Sequence, residues 1–186
     1  GNFVSGLIVL FERPVRVGDT VTIDGITGTV ARIEMRATTV VDADLKELVV
    51  PNKNLITGKL VNWTRHDPTT RIVLPVSVAY GSDTAAVARI LQEAAKQSAT
   101  VLENPAPLVA LTRFGDSALE YELRVFVTHP DAAGPTRHEL LLSVERKLRA
   151  AGIEMPFPQR DVHLRSVDAA AAASLGGTSA ANHEAS

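Results

Sequence analysis

The side chains able to do chemistry are spread along this chain and do not converge on a reaction. Five histidines, His66, His129, His138, His163 and His183, could hold a metal or move protons. A helical zinc site needs two of them one turn apart with a glutamate between, and His138-Glu139 begins no HExxH. Asp24, Asp42, Asp44 and Glu47 offer oxygen ligands of the kind Ca²⁺ takes, but their spacing is not that of an EF-hand loop, so they read as solvated turn residues. Glu120 and Glu122 fall on one face of a strand, where paired carboxylates could share acid and base roles. Arg124 follows on that same face, and the three read as a solvated charge ladder. There is no GxSxG, Walker A or GxGxxG run, and no cysteine for a thiolate site or disulfide scaffold. The chain is expected to be no enzyme, with no catalytic residue, no metal site and no cofactor.

Nucleic-acid chemistry fares no better. A formal net charge of −2 lacks the positive field of a dedicated nucleic-acid binder. Tyr121 and Phe126 lie on one strand at an odd separation, so they point to opposite faces and cannot form one stacking platform. A soluble RNA-binding or oligomerisation module stays as the alternative reading.

The elements that would have to position a site are clearer. With 186 residues the chain can build one large or two small cores. Asn2 to Phe11 reads as a helix with Phe3, Leu7, Leu10 and Phe11 on one face and Val4 and Ile8 on another. Apolar residues all round mean burial in protein or lipid. The stretch is too short to span a bilayer, which takes roughly 20 apolar residues, and it begins inside an apolar pattern, so a longer protein is expected around it. Gly6 costs about 1 kcal/mol against Ala in a helix interior, which calls for a bend or a close helix contact. Pro14 stops the helix.

From Val15 to Trp63 the apolar pattern has period two with strong turn signals, predicting a five-strand β-barrel of the Sm-like or SH3-like kind. Asp24-Gly25 makes a turn, Gly28 opens the second strand, and Thr38 to Val41 and Leu48 to Val50 give two more. Pro51 ends the fourth strand, and Asn52 is expected to cap one helical turn at Lys53 to Ile56. After a polar hinge at residues 66–70, strands alternate with helices. Arg71 to Val78 is a strand, and Ser82 or Asp83 caps a helix carrying Val87, Ile90, Leu91 and Ala94. Strands follow at Leu108 to Phe114 and Leu119 to Val127, and a helix carrying Leu140, Leu141, Val144 and Leu148 ends at Gly152 as a C′ glycine. This order is that of a ferredoxin-like α+β domain. The domains read as 1–13, the helix end; 14–64, the barrel; 65–167, the ferredoxin-like domain with a last strand through Val162 and Leu164; and 168–186, an Ala-, Gly- and Ser-rich tail expected to be disordered.

Residues 13–30, RPVRVGDTVTIDGITGTV, then VVPN at 49–52 and AGIEMPFPQRDV at 151–162, resemble the small-conductance (MscS-type) mechanosensitive channel family. There a pore helix ends at an Arg-Pro pair and runs on into such a glycine- and aspartate-punctuated barrel. The resemblance covers residues 2–167. It implies the end of a pore-lining helix at Asn2, Phe3, Gly6, Leu7, Leu10 and Phe11, and a helix–barrel junction at Arg13, Pro14, Gly18 and Asp19. It also implies barrel turns at Asp24, Gly25, Gly28, Pro51 and Asn52, and a C-terminal signature at Gly152, Pro156, Phe157 and Pro158. The implied assembly is a homo-oligomer, typically a heptamer, in the bacterial inner membrane, with this region on the cytoplasmic side. Lipid would be met through upstream helices, and ions and small osmolytes would pass through the cage on hypo-osmotic shock. The lower helix would lean on the barrel near Pro51-Asn52-Lys53, where Lys53 stands in place of a frequent small residue, and Gly6 would set its bend.

Overall fold

The computed structural model describes residues 2–12, 14–158 and 160. The readings of Arg13, of the strand through Val162 and Leu164 and of the tail at 168–186 lie outside the described residues, as do the side chains of Asn2, Phe3, Gly6 and Leu10. Residues 1–156 cluster as one unit, a mixed α/β structure with two sheets. Among the described residues no helix is long and apolar enough to cross a membrane.

Helix α1 (Asn2–Glu12) runs unbroken through Gly6. It leads into five antiparallel strands, β1 (Thr20–Ile23), β2 (Ile26–Ile33), β3 (Ala37–Asp42), β4 (Glu47–Pro51) and β5 (Leu60–Asn62), in the order β4-β3-β2-β1-β5. Ile23 faces Ile26 across a two-residue turn in which Asp24 and Gly25 both take positive φ, 49° and 82°. That is the primed geometry which an Asp-Gly pair favours. Gly28 is no turn residue: it sits inside β2 between Val21 and Asp42. A Cβ there would lie 2.5 Å from the Val41 carbonyl oxygen, so its role is close strand approach. The β3–β4 connection is held by Asp42, whose Oδ1 accepts from the Asp44 and Lys46 N–H groups at 2.9 Å each, with Leu45 forced to a φ of 63°. Val15, Val21, Ile23, Val30, Val40 and Leu55 form the core of this part.

The second sheet holds β6 (Thr70–Val78), β7 (Leu108–Phe114) and β8 (Leu119–Val127) in the order β6-β8-β7, all antiparallel. Helices α3 (Thr84–Gln97) and α4 (Ala133–Ala150) cover one face. The alternation in β8 is complete: Leu119, Tyr121, Leu123, Val125 and Val127 are all buried against Val87, Ile90, Leu91, Leu140, Val144 and Leu148. Asp83 rather than Ser82 caps α3, accepting from the Ala85 and Ala86 N–H groups. The α4 stripe is narrower than its sequence implies, since Leu141 is exposed, together with Leu142. Helix α4 closes with Gly152 at a φ of 69°. The Gly152 N–H donates to the Arg149 carbonyl and the Ile153 N–H to the Leu148 carbonyl, the paired bonds of a Schellman stop.

Candidate functional site

The first helix is two-faced. Val9 is 1% exposed and belongs to the core of the five-stranded sheet, packed with Leu55 of the short helix α2 (Asn52–Thr57). Val4, Leu7 and Phe11, at i, i+3 and i+7, form a separate exposed stripe, with Phe11 83% exposed. Val4 therefore shares a face with Leu7 and Phe11, and among the described residues of α1 the buried one is Val9. Burying one valine side chain contributes roughly 1.5–3 kcal/mol, enough to seat the helix on the sheet. An apolar stripe of this kind, left open to water, is costly unless something covers it.

Where the helix enters the sheet, the turn is locked by a buried carboxylate. Gly18, at a φ of 94°, turns the chain so that its N–H donates to the Val30 carbonyl, and the Val30 N–H returns a bond to the Asp19 carbonyl. The Asp19 side chain, 9% exposed, gathers its donors. Its Oδ2 accepts from the Arg16 N–H at 2.9 Å and from Asn62 Nδ2 at 2.7 Å, and its Oδ1 from Thr64 Oγ1 at 3.4 Å. The same Asn62 Nδ2 also donates to the Pro14 carbonyl at 3.2 Å, and Asn62 Oδ1 accepts from the Thr64 N–H at 3.1 Å. Hydrogen bonds to a charged group contribute about 1.5–3 kcal/mol each. The residue that ends the helix is thus tied to β5, 48 positions along the chain.

Asn52 is not a cap. The residue before α2 is Pro51, and α2 has no side-chain cap bond. Asn52 is 0% exposed and its amide turns into the sheet. Oδ1 accepts from Thr38 Oγ1 at 2.8 Å, and Nδ2 donates to the Glu34 carbonyl at 2.8 Å. Its N–H donates to the Arg36 carbonyl. One side chain thereby joins β3, the β2–β3 turn and α2, the element on which α1 rests. Lys53 is exposed beside it.

Of the residues that sequence reading singled out, Pro14 and Asp19 meet through Asn62, while Asn52 belongs to a second network with Thr38 and Glu34. Sequence reading missed Val9, Asn62 and Thr64. The available signal was Asn62 itself: it shares a strand face with Leu60, which packs on the core, and an inward polar side chain needs a partner. The C-terminal signature lies elsewhere, with Gly152 ending α4, Pro156 half-buried, and Phe157 and Pro158 exposed.

Arg113 binds Glu120 through both Nε and Nη2, and Arg124 binds Glu122, so the ladder is ion-paired. Hydrogen bonding to Arg113 lowers the Glu120 carboxyl below its usual range and raises Arg113 in return. Tyr121 is 3% exposed with an unpartnered hydroxyl. Burial, then the charge of Asp83, pushes its pKa up. Tyr121 lies in the helix-covered core and Phe126 on the other face, so the two do not form one stacking platform. No group of His, Asp and Glu able to hold a metal occurs among the described residues. The arrangement ties a helix end to a sheet through Asn62.

Two family models match the chain, "Mechanosensitive ion channel, beta-domain" over residues 1–65 and "Mechanosensitive ion channel MscS, C-terminal" over residues 72–155. The chain is 47% identical over 166 residues to the mechanosensitive channel MscK of Escherichia coli, covering 89% of this chain and 15% of that protein. It is 35% identical over 163 residues to a small-conductance mechanosensitive channel of Edwardsiella ictaluri, covering 88% and 56% of the two. The crystal structure of Helicobacter pylori MscS in its closed state superposes with a TM-score of 0.84 at 25% identity, covering 89% of this chain and 65% of that one. The chain thus spans less than two thirds of the length of each of these proteins.

Proposed function

Because the chain belongs to the MscS family of mechanosensitive ion channels, we propose that it forms the cytoplasmic vestibule of a tension-gated, weakly selective channel, with α1 as the end of the pore-lining helix. The observation that carries this is the two-faced helix: Val9 is sunk in the sheet while Val4, Leu7 and Phe11 present an uncovered apolar stripe. Neighbouring copies of α1 around a pore would cover it. In this reading the assembly is a homo-heptamer in the bacterial inner membrane, and lipid is met through helices elsewhere in the full-length protein. Ions and small osmolytes leave through the cage on hypo-osmotic shock. Tension favours the state of larger in-plane area and so shifts a two-state equilibrium.

In the same proposal residues 14–64 are an Sm-like barrel and residues 65–167 a ferredoxin-like domain. The strand order β6-β8-β7 supports the latter, as does the bond from the Ala79 N–H to the Glu154 carbonyl at 2.9 Å. It brings the segment after α4 beside the end of β6, on the side where a fourth strand of that fold would run. Gly6 is read as setting the bend of the lower helix. The test is native mass spectrometry of the full-length protein in mild detergent, with patch recording of its channels. A single ring stoichiometry and openings that rise with tension are expected. A monomer at micromolar concentration in every condition, or silence up to patch rupture, would overturn the reading.

A further inference from the structure

We infer that Asn62, held in place by the Asp19 carboxylate, is a positioning residue for gating: it pins the end of the pore helix to the sheet, so that the helix cannot move without loading β5 and β1. The inference rests on the proposed function and adds to it a specific link. The Asn62 amide nitrogen is shared between two acceptors, Asp19 Oδ2 at 2.7 Å and the Pro14 carbonyl at 3.2 Å. The first bond lies within the sheet and its leading turn. The second reaches the residue that terminates the helix, and among the described residues it is a side-chain bond from the sheet to that terminus. Asn62 is itself fixed from three sides: its backbone pairs with Val21 in β1, its Oδ1 accepts from the Thr64 N–H, and Thr64 Oγ1 reaches Asp19 Oδ1 while accepting from the Thr20 N–H. An amide with both ends engaged and its neighbours locked has one orientation, so the tether to Pro14 has little slack.

Two roles can be separated because one nitrogen serves both acceptors. Asn62→Asp removes the donor and sets a second carboxylate against Asp19, so folding itself is expected to suffer. The exchange variant Asp19→Asn/Asn62→Asp restores a donor–acceptor pair between positions 19 and 62, because the introduced amide donates to the introduced carboxylate. The Arg16 N–H, which shares Oδ2 with Asn62 in the wild type, faces the introduced amide nitrogen in that orientation and loses its acceptor, so the rescue is partial. The Pro14 carbonyl, however, gains no donor. If the tether loads the helix, releasing it makes opening easier.

The experiment is patch recording of the full-length wild-type and exchange proteins, with thermal unfolding and native mass spectrometry on both. The exchange variant is expected to regain the ring and part of the thermal stability that Asn62→Asp alone loses. It should nevertheless open at lower tension, with the open-to-closed ratio at the wild-type midpoint raised at least about tenfold, the size expected for one hydrogen bond lost per channel, and further for each additional subunit whose tether is released. An exchange variant with the wild-type midpoint would overturn the inference, as would a midpoint shift that only tracks lost stability across the two variants. A wild-type protein that stays silent under tension would instead refute the proposed function, so the two failures are distinguishable.

Discussion

Asn52→Asp separates two accounts of one residue. If Asn52 capped α2, the change would cost almost nothing, because Asn and Asp cap about equally well. The observed amide instead donates from Nδ2 to the Glu34 carbonyl and accepts from Thr38 Oγ1, at 0% exposure. A carboxylate in its place loses the donor, faces a carbonyl oxygen at close range and is buried with only the Thr38 hydroxyl to bind it. One lost neutral bond at about 1 kcal/mol, an unsatisfied acceptor at about 1–3 kcal/mol and the desolvated charge give a loss of about 3–5 kcal/mol near neutral pH. The sign with pH follows from the same geometry. A protonated acid can donate to the Glu34 carbonyl, so the folded state raises the introduced group's pKa. The penalty is therefore smallest below the unfolded value of about 3.9, and grows by about 1.4 kcal/mol per unit as pH rises through the window between the unfolded and folded values. Urea unfolding followed by Trp63, the chain's single tryptophan, which is bonded to Thr22 of the same sheet, measures this at several pH values. A variant within about 0.5 kcal/mol of wild type, equal at acid and neutral pH, would refute the buried-amide account and restore the cap.

Tyr121→Phe deletes a buried hydroxyl without a partner and is expected to raise stability by about 1 kcal/mol. Because the folded state raises the tyrosine pKa, wild-type stability is full below the unfolded value and is lost as pH rises through the folded one, so thermal melts in alkali should show a shallower decline for the variant. Gly28→Ala should cost upwards of about 2 kcal/mol in urea unfolding, since its Cβ meets the Val41 backbone oxygen at 2.5 Å, an atom that cannot move without breaking β3. Leu45→Gly should stabilise by about 0.5–1 kcal/mol in the same assay, because Leu45 is 83% exposed and held at a φ of 63°, a conformation that costs a residue with a Cβ about 1–2 kcal/mol.

The features legible in the sequence are those whose causes lie within a few residues. Asp24-Gly25 makes its turn because two adjacent residues must take positive φ. Gly152 ends α4 because the stop needs a left-handed residue one step past the cap, and Leu119 to Val127 alternates because a strand's side chains alternate. The features it hid depend on partners far along the chain. Asn52 looks like a cap to any local reading, and only the approach of Glu34 and Thr38, 18 and 14 positions away, turns its amide inward. Leu141 fits the helical period of α4, yet it lies outside the width of surface that the neighbouring elements cover. In the same way the sheet buries Val9 of a helix apolar all round while Val4, Leu7 and Phe11 stay exposed. Asp19 and Asn62 stand 43 positions apart, and neither betrays the other until β1 and β5 pair. Local conformational preference is written residue by residue, whereas the choice among equally good hydrogen-bond partners or apolar faces is made by whichever distant element comes to lie against them.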